Sequence, residues 1–294
     1  MDESMLDATG ARARLIATCP DQPGIVAAVS GFFFELGANI IHSDQHSSDP
    51  VGGTFFLRQE FVLEGLDMDL EAMREAFDAH VARRFGMDWS LHPAWVPKRA
   101  AILVSREGHA LMDLLWRVKS GELFMDVACV VSNHRDLEED AANFGVPFVH
   151  VPVAKASRER DLAATLAEVE AHGAELVLLA RYMQVLPQPF VDRYRRRIIN
   201  IHHSFLPAFV GADPYRRAAE RGVKLIGATA HYVTADLDQG PIIEQDVIRV
   251  THRHRIADLK VLGRDIERQV FSRAVRWHLE DRVIVDGNKT VVFI

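Results

Sequence analysis

The stretch Asn200-Ile201-His202-His203-Ser204-Phe205-Leu206-Pro207 gathers an amide, two imidazoles and a hydroxyl in eight residues. It grows out of an apolar run over 198–202 that reads as a parallel strand, and open α/β sheets place their sites at the C-terminal ends of such strands. Asn200 and His202 are two apart, so an extended backbone turns both to one face and His203 to the other. Two donors on one face can polarise a single carbonyl oxygen. The competing reading has Asn200 capping a turn and His202 filling the core.

A second group is His231-Tyr232-Val233-Thr234-Ala235-Asp236-Leu237-Asp238-Gln239-Gly240-Pro241. Asp236 and Asp238 fall in a turn between two strands, where a carboxylate can orient water or act as general base. Aspartates also shape turns with no further role, and that alternative stays open. His202, His231 and Asp238 are metal-ligand types. However, no HExxH and no paired cysteines accompany them, so no metal is expected. A phosphate cradle is expected to be missing too. The loop after the first strand of this half is Ser105-Arg106-Glu107-Gly108-His109, with one glycine where close backbone approach to an anion needs several.

The elements that must position these residues follow from hydrophobic periodicity. Residues 12–92 read as βαββαβ, the ferredoxin-like order. Strands fall at 12–19, 39–45, 55–63 and 87–91. Asp21 is the expected N-cap of a first helix with Pro23 in its first turn and Gly37 closing it. A second helix spans 69–85. Residues 93–97, with two prolines, read as a linker. Beyond it, near-continuous apolar runs at 100–104, 125–132, 148–151 and 176–180 alternate with helices at 109–120, 137–144 and 158–172. Strands without polar alternation, separated by helices, imply a doubly wound, mostly parallel sheet covered on both faces. Strands at 225–234 and 242–250, a long helix at 256–281 and a C-terminal hairpin complete this second domain, 98–294.

Composition limits the alternatives. The 294 residues carry 34 Lys and Arg against 41 Asp and Glu, a net charge of −7, which speaks against a nucleic-acid partner. No apolar run approaches the ~18 residues of a membrane span, so no membrane partner is expected. The two cysteines, Cys19 and Cys129, allow no disulfide framework and fit a reducing, cytoplasmic setting.

The motifs around Asn200, His202, His231 and Asp238-Gln239-Gly240-Pro241 resemble the folate-dependent formyltransferase family. The Asp21-x-Pro23-Gly24-Ile25-Val26 and Gly37-Ala38-Asn39-Ile40 segments resemble an ACT domain, an amino-acid-sensing module. An ACT unit followed by a formyltransferase-like unit is similar to the layout of the formyltetrahydrofolate deformylase family. So are the segments Gly227-Ala228-Thr229-Ala230-His231-Tyr232-Val233 and Arg181-Tyr182-Met183-Gln184-Val185-Leu186. The resemblance covers nearly the whole chain and implies a catalytic trio of Asn200, His202 and Asp238. It implies a folate slot along Met183, Gln184, Val185 and Leu186, with Val233, Ala235, Asp236 and Leu237 opposite. The implied substrate is 10-formyltetrahydrofolate, split by water into tetrahydrofolate and formate with no cofactor required.

In the sister transferase that formylates glycinamide ribonucleotide, a Gly/Ser/Asn-rich loop holds the acceptor's phosphate. Its absence here favours water as acceptor. Val210 departs from the lysine expected in many relatives. The ACT resemblance implies an effector, with glycine or methionine as candidates, near Asp21, Gly24, Ile25 and Asn39. It also implies a homo-oligomer, dimer or tetramer. The rivals are a formyltransferase acting on an amine, a non-catalytic sensor of amino acid or folate, and a metal-dependent amidohydrolase.

Overall fold

The structure, a computed structural model, describes residues 11–49, 51–63, 68–207 and 214–294. Val210 lies outside the described residues. The chain divides into two compact units. The first holds the described residues up to Val96 together with Glu280–Ile284 and Phe293–Ile294; the second holds Pro97–Leu279 and Val285–Val292. The sequence reading placed all of 98–294 in the second.

In the first unit, β1 (Arg12–Pro20) alternates buried Ala13, Leu15, Ala17 and Cys19 with less buried residues, as a strand with one covered face must. It pairs antiparallel with β3 (Thr54–Val62) and with β4 (Asp88–Pro93). β2 (Asn39–Ser47) flanks β3, giving the order β2-β3-β1-β4. The helices α1 (Ile25–Glu35) and α2 (Leu70–Phe77) contribute Val29, Phe32, Phe33, Met73 and Phe77 to one core with Leu57 and Phe61. Phe33 lies 4.2 Å from Phe61, ring centre to ring centre. The βαββαβ order holds, with local corrections. The N-cap of α1 is Gly24 at φ +93°, not Asp21, and the helix starts after Pro23. The second helix is continuous to Phe85 but widens to a π-helical turn at Asp78–Ala82. Pro93 ends β4 opposite Ala13, so the connection shortens to 94–97.

The second unit is built on a seven-stranded sheet. Its strands are β5 (Lys98–Val104), β6 (Met125–Ser132), β7 (Phe148–His150), β8 (Leu176–Leu179), β9 (Ile198–His202), β10 (Leu225–Tyr232) and β11 (Ile242–Arg249). The order is β11-β10-β9-β8-β5-β6-β7. β7 through β9 in that order are parallel; β10 and β11 run antiparallel. Chain direction across the sheet reverses between β5 and β8, and ligands of such sheets bind beyond the strand ends at that point.

The connecting helices are α3 (His109–Lys119), α4 (Glu138–Asn143), α5 (Arg158–Ala171), α6 (Gln188–Arg193) and α7 (Pro214–Arg221). The last two are too short to show a period in the sequence. The long α8 (Ile256–Leu279) packs on β10 and β11, and a hairpin, β12 (Val283–Asp286) and β13 (Lys289–Val292), ends the chain. Both cysteines are buried and free, and no described helix is long and apolar enough to cross a membrane.

Phe61 is fully buried against Phe33. Phe61→Ala should therefore destabilise the first unit by about 3–5 kcal/mol, read as faster amide hydrogen exchange in β1 and β3. A loss below about 1 kcal/mol would mean that the core closes around the gap.

Candidate active site

β9 and β10 pair antiparallel, with His231 opposite Asn200 and Thr229 opposite His202. That register creates the site. Asn200 Nδ2 lies 3.2 Å from His231 Nε2. His231 Nδ1 lies 3.0 Å from the Tyr232 carbonyl, which can only accept. Nδ1 therefore carries the proton, and Nε2 accepts one amide hydrogen of Asn200. This leaves the second amide hydrogen of Asn200 without a partner among the described residues.

Asp238 enters from the turn between β10 and β11. Its backbone sits at φ +56°, a left-handed conformation that aspartate tolerates better than most residues. Tyr232 N–H donates to the Pro241 carbonyl at 2.9 Å and closes the turn. Gly240 is required there, because a Cβ would lie 1.8 Å from the Tyr232 carbonyl oxygen. One carboxylate oxygen of Asp238 faces His202 Nδ1 at 3.3 Å and the other faces His231 Nε2 at 3.7 Å. Burial alone would push the Asp238 carboxyl up. The hydrogen bond from His202 and the proximity of its ring outweigh it and hold Asp238 well below the usual carboxylate range. His202 is buried, and its Nε2 has no hydrogen-bond partner among the described residues.

Thr229 fixes the loop that follows. Its hydroxyl donates to the Ser204 carbonyl at 2.9 Å and accepts from Leu206 N–H at 3.0 Å and Gln245 Nε2 at 2.9 Å. Among the described residues, no three His, Cys, Asp or Glu side chains converge as a metal-binding group.

A pocket of about 440 Å³ opens over Asn200, His202, His231 and Asp238. The Met183–Leu186 stretch forms one wall, and Val233, Ala235 and Leu237 stand in another. Met183 and Leu237 are 60 % and 58 % exposed, so their apolar surface is uncommitted to the core. Leu186 is buried and Val233 packs beside it, so both also serve the core. Met183 is held in place by its N–H donating to Ser105 Oγ at 3.0 Å. Asp236 is the exception. It is exposed, does not line the pocket, and its carbonyl accepts from Thr234 Oγ1 and Gln239 N–H. It shapes the turn.

Two residues outside the expected set belong here. The sequence offers His231 as a metal-ligand type and as part of a family motif but gives it no catalytic role, because its position opposite Asn200 depends on strand register. His203 was expected on the opposite face. Yet its ring centre is 5.2 Å from that of His202, and it lines the same pocket. The strand ends at His202, so alternation stops there.

In the first unit, a separate cleft of about 510 Å³ is lined by Asp21, Gly24 and Ile25 with Ser30 and Phe55. Asp21 accepts a hydrogen bond from Ser47 Oγ at 2.5 Å. Asn39 is not part of this cleft. It opens β2 after the C-terminal end of α1, whereas the cleft lies at its N-terminal end.

Burial, and then the charge of Arg181, push His203 down to about 4. An unfolded histidine titrates near 6.5, so the unfolded chain binds more protons between these values. The stability from neutral His203 is full above pH ~6.5 and is lost as pH falls toward about 4. A His203→Gln variant should flatten that segment of the pH–stability curve in urea titrations. An unchanged slope would place the acid sensitivity elsewhere.

Comparison with known proteins agrees with this architecture. The formyl transferase family model matches residues 98–275, and the ACT domain model matches 13–80. A formyltetrahydrofolate deformylase of Bacillus subtilis (strain 168) is 54 % identical over 96 % of this chain and 94 % of its own. The crystal structure of a formyltetrahydrofolate deformylase from Pseudomonas syringae pv. tomato superposes with a TM-score of 0.94 at 49 % identity. It covers 99 % of this chain and 98 % of its own. A glycinamide ribonucleotide transformylase from Symbiobacterium toebii is 33 % identical with a TM-score of 0.64, covering 67 % of this chain and 95 % of its own. The ACT unit, the formyltransferase unit and their order are thus shared over nearly the full length, and the chain belongs to the formyltetrahydrofolate deformylase family.

Proposed function

We propose that the chain hydrolyses 10-formyltetrahydrofolate to tetrahydrofolate and formate. The observation that carries this reading is the constellation of Asn200, His202 and ionised Asp238 at the floor of an apolar-walled pocket. Near-half identity to deformylases over the full chain supports it. The flat pterin lies between the Met183–Leu186 wall and the turn that carries Leu237. The formyl carbon then faces Asn200 and His202.

Water attacks the planar formyl carbon and a tetrahedral oxyanion forms. The second amide hydrogen of Asn200 and the buried Nε2 of His202 donate to that oxygen. The Asp238 carboxylate orients the water. The proton that the water loses enters the hydrogen-bonded Asp238–His202 pair. The C–O bond is then complete, the C–N10 bond breaks, and the pair returns the proton to N10. Formic acid leaves with its hydrogen still on carbon and gives its acidic proton to bulk water, becoming formate. Every group in these steps is a side chain of this chain, and the reading takes no cofactor.

The reading extends to regulation. The cleft at Asp21, Gly24 and Ile25 is the seat of an amino-acid effector, glycine or methionine, and the ACT unit pairs with a second copy in a homo-oligomer. The reaction would balance the formyl-folate pool and supply formate for purine synthesis.

The test is formate release from 10-formyltetrahydrofolate in amine-free, metal-chelated buffer, with and without glycine or methionine. The wild type should give formate and tetrahydrofolate in equal amounts. Asn200→Ala should lower turnover by about 10²–10³, the usual loss for one oxyanion donor. Folate binding without formate release would overturn the hydrolase reading in favour of a sensor.

A further inference from the structure

The point where the sheet reverses direction is filled by the protein's own charged side chains. β5 and β8 end side by side there, and their lacing continues past the strands: Ala180 N–H donates to the Leu103 carbonyl at 2.8 Å and Ser105 N–H to the Arg181 carbonyl at 3.3 Å. Arg181 stands at that junction with φ +65°, a backbone conformation that costs any residue with a Cβ and that glycine adopts freely. It is only 8 % exposed and lines the candidate active-site pocket beside His203.

Its guanidinium is clamped from two sides. Nη2 lies 3.4 Å from a carboxylate oxygen of Glu107, in the loop after β5. Nε lies 3.6 Å from Glu267, on α8. Glu267 is almost fully buried and is itself held by His109 Nε2 at 2.8 Å and by the Tyr215 hydroxyl at 2.7 Å. Gly263, one turn earlier on α8, makes room for that hydroxyl: a Cβ there would lie 1.9 Å from it. Even so, Arg181 Nε and Nη1 have no hydrogen-bond partner among the described residues.

Three unfavourable features therefore meet in one residue: a left-handed backbone, a buried charge and unsatisfied donors. The water reaction derived above uses none of them. A transferase built on this fold must seat two organic substrates, one on each side of the formyl carbon. The pocket wall at Met183–Leu186 takes the folate. The remaining seat is the crevice between the ends of β5 and β8, and this is where the Arg181 side chain lies, tied to Glu107 and Glu267.

We propose that Arg181 is a specificity-determining plug: clamped by Glu107 and Glu267, it fills the seat of an amine acceptor and leaves water as the only nucleophile that reaches the formyl carbon. This rests on the deformylase reading and deepens it. With the plug removed, an amine R–NH2 attacks the formyl carbon in place of water. The new C–N bond forms, the C–N10 bond breaks, the amine's proton passes to N10, and the products are R–NH–CHO and tetrahydrofolate.

The experiment measures how formyl groups partition between formate and N-formylglycinamide when the full chain turns over 10-formyltetrahydrofolate at a fixed, high concentration of glycinamide. Arg181→Gly suits the positive φ and opens the crevice. Its ratio of formylglycinamide to formate should exceed the wild-type ratio by about tenfold or more, the low end of what one pocket contact contributes to discrimination. Glu107→Gln removes one anchor at a half-exposed site that poses no folding risk, and should raise the ratio by a smaller factor. A folded, active Arg181→Gly enzyme with the wild-type ratio would overturn the proposal. If Arg181→Gly does not fold, an unchanged ratio in Glu107→Gln overturns it instead. Weaker product inhibition by added formate, at an unchanged ratio, would also overturn it and make Arg181 an anion seat. Absence of formate from the wild type would sink the deformylase reading itself, a separate outcome.

Discussion

A carboxylate held between two imidazoles organises the second unit. Asp238 is half-buried, and burial disfavours its charge. His202 and His231 approach its two oxygens from adjacent strands, and the hydrogen bond from His202 keeps it ionised against that cost. Everything nearby serves that arrangement. The antiparallel register of β9 and β10 sets His231 against Asn200. The left-handed backbone at Asp238 and the close approach at Gly240 aim the turn inward. Without the carboxylate, His202 Nδ1 would lose the hydrogen-bond partner that orients its ring and so aims Nε2.

The sheet supplies rigidity where the site needs it. Four of the five parallel strands, β5, β6, β8 and β9, are buried over most of their length and largely apolar, and most of their polar residues lie toward the strand ends. Ser105 shows the consequence. Its hydroxyl donates to Asn133 Oδ1 at 2.7 Å and accepts from Met183 N–H, linking the loops after β5, β6 and β8. A pocket wall that begins at Met183 is thus anchored on two neighbouring strands. In the first unit the same logic appears in antiparallel form. Buried Arg58 and Glu60 of β3 pair at 2.9 Å on the face opposite the aromatic core, and Arg58 also donates to the Glu280 carbonyl.

Much of this was legible in the sequence. Apolar runs marked β6 and β9 to the residue, because a strand with little polar alternation stands out as a block between its neighbours. The two-residue step from Asn200 to His202 placed both on one face, as the geometry has it. What escaped reading depended on pairing or on where an element stops. His231 needed the register with β9. His203 needed the strand to end one residue earlier than alternation assumes. Asn39 was grouped with Asp21 by motif, but α1 separates them by 11 residues, about 16 Å of helix. Arg181 figures in the sequence only as the first residue of a family-like segment, since nothing in its neighbours announces a positive φ.

The central claim is that Asp238 and His202 act as one unit in moving the proton between water and N10. A double-mutant cycle on formate release, with Asp238→Asn, His202→Asn and the two combined, tests it most directly. Residues that act as a unit are strongly non-additive, so the double variant should be no slower than the slower single variant, within a factor of about three. Losses that simply multiply would mean that the two side chains work independently, and would contradict the account.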